Sequence, residues 1–245
     1  MDELTGRDAF EAAAATVTEV FVGYFARLND LATDVLAVYQ SAAEGHGGVH
    51  EDQLDVVRVR AEEWLQEQDA ALGYGFVAAP GAVEDRERCM IWFQRTESGV
   101  RRLVLNFDPA DIDVYDYLDM EWFTHARDRL RPVVFGPYFD YSGSDQYVLT
   151  FSLPVLDGER FLGVTGADLV AADLEPVVRP TLRQLPSETV IVDAERRVVF
   201  SNTARWIPGD RLARLTESVA MGVPWVTELL PGVGWAAASD PGRPR

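Results

Sequence analysis

The chain has 245 residues, 47% of them hydrophobic, with a formal net charge of −18 and a single cysteine. That length and apolar content suffice for a full core in one large domain or two small ones. The charge excludes a backbone-dominated nucleic-acid binder and disfavours an anionic membrane surface, since both need clustered cations.

All 22 basic residues are arginine, so Schiff-base chemistry and a P-loop phosphate lysine are excluded. The lone Cys89 rules out an internal disulfide framework. The N-terminus, MDELTGRDAF, lacks the basic start and apolar stretch of a signal peptide, and the expectation is a soluble, cytoplasmic chain with no membrane partner.

From Phe10 the apolar positions Phe10, Ala14, Val17, Phe21, Tyr24, Leu28, Leu31, Val35 and Val38 alternate steps of four and three. This heptad seam predicts one long helix. Val20, Phe25 and Leu36 widen the stripe, so two readings stay open: packing on the chain's own domain, or a homodimer helix. Residues 44–48 break the helix and residues 51–72 start another, which sets off an N-terminal helical region at 1–71.

Residues 73–80 (GYGFVAAP) open a sheet, with further strands predicted at Met90–Gln94 and Leu103–Phe107. An acidic, tyrosine-containing run follows, then a helix around Trp122 and a Gly-Pro-Tyr-Phe-Asp corner carrying Tyr138 and Asp140. Gln146–Pro154 and Arg160–Asp168 alternate as β-strands and are joined by the hairpin signal Asp157-Gly158. Pro154 is expected to end the first strand's pairing, because it lacks an amide donor. Gly163 and Gly166 leave room for a ligand or another backbone, and Asp168 closes an apolar run. This region spans 72–185. Residues 186–245 read as a reduced second module or sheet-completing strands: a hairpin at 188–201, strands at 225–230 and 234–238, and a frayed tail at 241–245.

Catalytic and metal motifs fail on inspection. His46 and His50 have helical metal-pair spacing, but Gly47 and Gly48 between them favour a solvated loop. Asp111, Asp113, Asp116 and Asp119 lack the glycine and terminal glutamate of a calcium loop and suit turn capping better. Ser142 and Ser144 lie in no nucleophile elbow, and His125 is the nearest histidine. Gly73-x-Gly75 opens a strand where a dinucleotide fingerprint would open a helix. No catalytic residue, metal or cofactor is therefore assigned.

The order of Trp122-Phe123, the Tyr138-x-Asp140 corner and the late Asp168 resembles the Cache family of extracytoplasmic sensor domains. The resemblance implies an α+β fold: a PAS-like antiparallel sheet with a long N-terminal helix, helices on one face and a short C-terminal β-rich segment. It also implies a small-molecule pocket. In amino-acid-binding members an arginine precedes a Trp-Tyr pair and takes the ligand's carboxylate, while the late aspartate takes the ammonium. Here Trp122 and Phe123 stand for the pair, Tyr138 and Asp140 for the corner and Asp168 for the aspartate, but Met120 stands where the arginine belongs. A thioether cannot replace a guanidinium.

The expected ligand-contacting set is Trp122, Phe123, Tyr138, Asp140 and Asp168, with Tyr117 and with Arg127 as a substitute guanidinium; Arg129 and Arg131 follow it at a helix end. The function implied is a non-catalytic sensor for an amine or amino-acid-like ligand, signalling through an unknown protein partner or a change in association. The competing readings are a hydrolase using Asp140 and Asp168 as acid and base, and a dimerisation protein built on the heptads.

Overall fold

In the computed structural model of this protein, residues 3–67, 69–84, 86–108, 110–212, 225–230 and 232–244 are described. The chain forms two compact units, residues 24–171 and residues 1–23 with 172–245. The division falls inside the first helix, because a single helix has no core of its own and each half buries its apolar stripe on a different sheet. It does not follow the boundaries at 71 and 185 drawn from the sequence.

Helix α1 (Glu3–Glu44) carries the seam. Phe10, Ala14, Val17, Phe21, Tyr24, Leu28, Leu31 and Val35 are all buried, but the last member is Tyr39 in place of Val38. Two successive steps of four follow the 3.6-residue period of a straight helix, where a strict heptad would follow 3.5. The seam is covered within the chain itself. Phe21 meets the Trp235 ring edge-on at 5.4 Å in one unit, and Phe25 lies 5.1 Å from the Phe151 ring in the other. The seam thus packs on the chain's own sheets, the first of the two readings left open by the sequence.

In the unit formed by residues 24–171, α2 (Val56–Trp64) and six strands follow: β1 (Ala71–Ala78), β2 (Met90–Thr96), β3 (Gly99–Arg102), β4 (Val133–Asp140), β5 (Gln146–Asp157) and β6 (Arg160–Val170), with α3 (Glu121–Arg129) before β4. They make one antiparallel sheet in the order β3-β2-β1-β6-β5-β4. Helices α1 and α2 share one face: Arg27 donates to the Tyr74 hydroxyl at 3.1 Å, and Trp64 packs on the same Tyr74 ring. The other face is covered by α3, the irregular segments 103–108 and 110–116 and the helical turn Tyr117–Asp119, around Trp92, Trp122, Phe123 and Tyr117. The fold is the expected α+β, PAS-like one.

Local chemistry explains where the strand expectations held and where they did not. The Asp157-Gly158 hairpin forms, with Asp157 paired to Arg160 and Gly158 at φ 61°. Pro154 does not end β5; it pairs with Val164. β4 stops opposite Ser152, so beyond that point β5 has only one neighbour and a missing donor is tolerated. Leu103–Phe107 is not a strand. Asn106, Asp108 and Asp111 each accept from the backbone amide two residues on, at 3.0, 2.9 and 3.0 Å, and these turns compete with a ladder. Asp116 caps the following turn through Leu118 N, so the acidic run does cap turns.

Gly166 and Gly163 make room for rings of the core. A Cβ on Gly166 would sit 3.0 Å from Trp92, and one on Gly163 would come within 2.2 Å of Val77 O and 2.9 Å of the Phe76 ring. Gly73 and Gly75 complete the track across which the Trp92 indole lies. Glycines at these four positions therefore report a tightly seated indole and a close strand crossing.

In the other unit, α4 (Ala171–Arg183), β7 (Ser187–Val192), β8 (Val198–Ser201), β9 (Trp225–Leu230) and β10 (Trp235–Pro244) build a four-stranded antiparallel sheet in the order β8-β7-β10-β9. The expected hairpin is β7-β8. The tail is not frayed up to Pro244, which pairs with Ser187.

Candidate functional site

Strand alternation puts Thr150 and Ser152 of β5, and Gly166 and Asp168 of β6, on the face opposite α1. Thr150 is the register partner of Asp168, and Ser152 that of Gly166. Thr150 Oγ1 donates to Asp168 Oδ1 at 2.6 Å. Its hydroxyl therefore accepts from Tyr138, 2.9 Å away, which makes a relay from Tyr138 through Thr150 to the carboxylate. Asp140, at the end of β4, accepts from Gly143 N at 3.1 Å and from Ser144 Oγ at 2.9 Å. Ser144 of the serine-rich turn thereby supports Asp140.

These groups line one hollow, walled by Trp92, Trp122, Tyr115 and Tyr138 and covered by Met90, Leu103 and Leu105. Both carboxylates face it from buried positions, with Asp140 9% and Asp168 8% exposed. Among the described residues, no arginine, histidine or other cation lines it. Burial pushes the Asp168 carboxyl up to about 7; the Thr150 hydrogen bond opposes the shift and the nearby Asp140 charge adds to it. Burial raises Tyr115 and Tyr138 as well, and the negative field of Asp168 reinforces both. The site is thus an apolar, electronegative chamber short of positive charge. Space open to the centre of a water-sized sphere is only about 20 Å³, room for one or two waters, so a larger occupant requires the irregular cover to give.

The structure brings together Trp122, Tyr138, Asp140 and Asp168 from the expected set. Phe123 lies outside the hollow, stacked among Tyr117, Trp122 and Phe161. Tyr117 is structural: its hydroxyl donates to Ala78 O at 2.9 Å and accepts from Cys89 N at 3.1 Å. Tyr115, two residues earlier, takes the place in the wall that was expected of Tyr117. Arg127 is exposed, paired with Asp128 at 2.7 Å, and does not supply a guanidinium to the hollow. Met120, the N-cap of α3, is also absent from the lining. Sequence reasoning missed Trp92, Tyr115, Thr150 and Ser152. The alternation of β5 carried the signal for the last two, since same-face residues Thr150 and Ser152 are polar in an otherwise apolar strand. His46 is in a turn at φ 59° and His50 faces Glu84 at 3.1 Å, and no group of three metal-ligating side chains occurs among the described residues.

Residues 60–176, which contain the whole hollow, match the family described as methyl-accepting chemotaxis protein-like, first PDC sensor domain. This part of the chain is a Cache-like sensor domain. Solved structures share its fold. The ligand-binding domain of the Campylobacter jejuni chemoreceptor Tlp3, titled as a complex with 4-methylisoleucine, aligns with TM-score 0.61 at 14% identity, covering 96% of this chain and 88% of that one. The ligand-binding domain of the Pseudomonas aeruginosa PAO1 amino acid chemoreceptor PctB, with L-arginine, aligns at 0.61 and 15%, covering 96% and 86%. An extracellular domain assigned to a histidine kinase, soHK1S-Z6, aligns at 0.59 and 16%, covering 93% and 88%. No curated protein matches the chain in sequence.

The Cache-like assignment corrects the cytoplasmic expectation. The family is the sensor of a chemotaxis receptor, and a solved domain of the same fold is titled extracellular. In addition, α1 over residues 6–44 contains an 18-residue window of mean hydropathy 1.2, long and apolar enough to cross a membrane by length and composition alone. A water-soluble composition is common to folded modules on either side of a membrane, so it carried no information on compartment.

Proposed function

We propose that the hollow binds a small organic cation, an amine or an amino-acid-like ligand, through Asp140 and Asp168, with Trp122, Tyr115 and Tyr138 as an aromatic wall. The observation that carries this reading is two buried carboxylates and several rings lining one chamber with no cation among the described residues. Ring faces attract cations, and a desolvated carboxylate is stabilised when a positive partner arrives. The chemoreceptor domains of the same fold whose titles name L-arginine or 4-methylisoleucine support a ligand of this kind. Neither Met120 nor Arg127 reaches the hollow, which favours amines over ligands that depend on their carboxylate. The module binds without turning its ligand over, and its occupancy is read by a protein partner or by a change in association.

Thermal denaturation against a metabolite panel tests the proposal. Amines raise Tm in the wild type and not in Asp168→Ala. A response confined to carboxylates overturns the charge assignment.

A further inference from the structure

Ser152 offers the hollow a hydroxyl that no described group of the protein uses. Its side chain is fully buried, it lines the chamber, and Oγ has no hydrogen-bond partner. Buried hydroxyls are otherwise almost always bonded. The neighbours do not relieve it. Thr150, two residues along the same face, is committed to Asp168 and Tyr138. Across the strand pair stands Gly166, which has no side chain, and the Trp92 ring closes over that glycine.

The chamber consequently has two unlike polar points. One is the Asp140 and Asp168 end; the other is a neutral hydroxyl, set two residues away and hence about 7 Å along the strand. We infer that Ser152 hydrogen-bonds a neutral oxygen of the ligand, so that the preferred class is a small amine bearing a hydroxyl or amide oxygen, rather than a plain alkylamine or an amino acid. The inference rests on the amine reading above. A carboxylate at the Ser152 end would be desolvated near two acids with no guanidinium to pair it, whereas a neutral oxygen can both accept from and, as a hydroxyl, donate to the serine.

The test compares 3-amino-1-propanol with its isostere butylamine, and with β-alanine, by calorimetric titration of the full chain. The hydroxyl-bearing amine binds the wild type roughly tenfold tighter than butylamine, the scale of one well-made hydrogen bond, and the preference disappears in Ser152→Ala while butylamine affinity is kept. Ser152→Cys, of similar volume with a weak donor, reduces the preference too and serves if the alanine variant does not fold. Equal binding of the two amines to the wild type, or a preference that survives in Ser152→Ala, overturns the role of Ser152 while leaving the amine reading intact. Binding of β-alanine alone overturns both.

Discussion

Thr150 and Asp168 face each other across the β5-β6 pair, with the threonine hydroxyl 2.6 Å from an oxygen of a carboxyl group whose pKa burial raises to about 7. A desolvated acid in this position is destabilising, and the cationic guest proposed above would relieve it; the expected pH behaviour of the protein follows from that.

The first consequence concerns stability. The folded pKa of Asp168, about 7, lies above the ordinary aspartate value of 3.8. Below pH 4 the acid is protonated in both states and contributes nothing. Between pH 4 and 7 the folded state keeps a proton that the unfolded state releases, so stability falls as pH rises and stays lower above 7. Asp168→Asn removes this pH dependence. Urea unfolding will show the variant close to wild type at pH 4 and more stable at pH 8, by at most about 4 kcal/mol. A destabilised variant at pH 8 would mean that Asp168 is already partnered by a positive charge.

Ligand affinity moves the opposite way with pH. An ammonium requires the ionised carboxylate, so binding of butylamine strengthens as pH rises from 5.5 toward 7 by up to about tenfold per unit and levels off above it. Calorimetry at pH 5.5, 6.5 and 8 checks this. A flat profile would show that the amine does not meet Asp168.

Tyr115 and Tyr117 are separable. Tyr117→Phe leaves Ala78 O and Cys89 N without their buried partner and costs about 1–3 kcal/mol of stability with affinity unchanged. Tyr115→Phe alters the wall of the hollow and changes affinity more than stability. Chemical denaturation and titration of both variants measure the split, and the reverse pattern would exchange their roles.

The glycines should differ as their surroundings do. A Cβ on Gly75 would lie 2.3 Å from Ile91 O and 2.5 Å from the Trp92 ring, whereas one on Gly23, exposed in α1, meets nothing within 4 Å. Gly75→Ala is expected to cost about 3 kcal/mol or more, and Gly23→Ala to stabilise by about 0.5–1 kcal/mol through better helix propensity. Paired thermal melts decide it.

Much of this protein was legible in the order of its residues. Periodicities of 3.6 and 2 announce α1, β5, β6 and the Asp157-Gly158 turn, because each element's apolar pattern is local and repeats along the chain. Asp168 stood out for the same reason: a carboxylate closing an apolar strand is conspicuous without coordinates. The residues that share its chamber were not equally visible. Whether Tyr115 or Tyr117 faces the hollow depends on irregular backbone between two turns, for which no period exists. The use of Gly166 for Trp92, 74 positions away in the chain, depends on strand order. Composition and pattern determined by themselves the helix and strand segments, the acidic balance and the acidic corner, while the α+β, PAS-like class came from the resemblance those residues carry. Only tertiary structure decided which rings and hydroxyls converge on the two acids and that, among the described residues, no arginine joins them, since side-chain direction and the pairing of distant strands are set by packing and not by spacing along the chain.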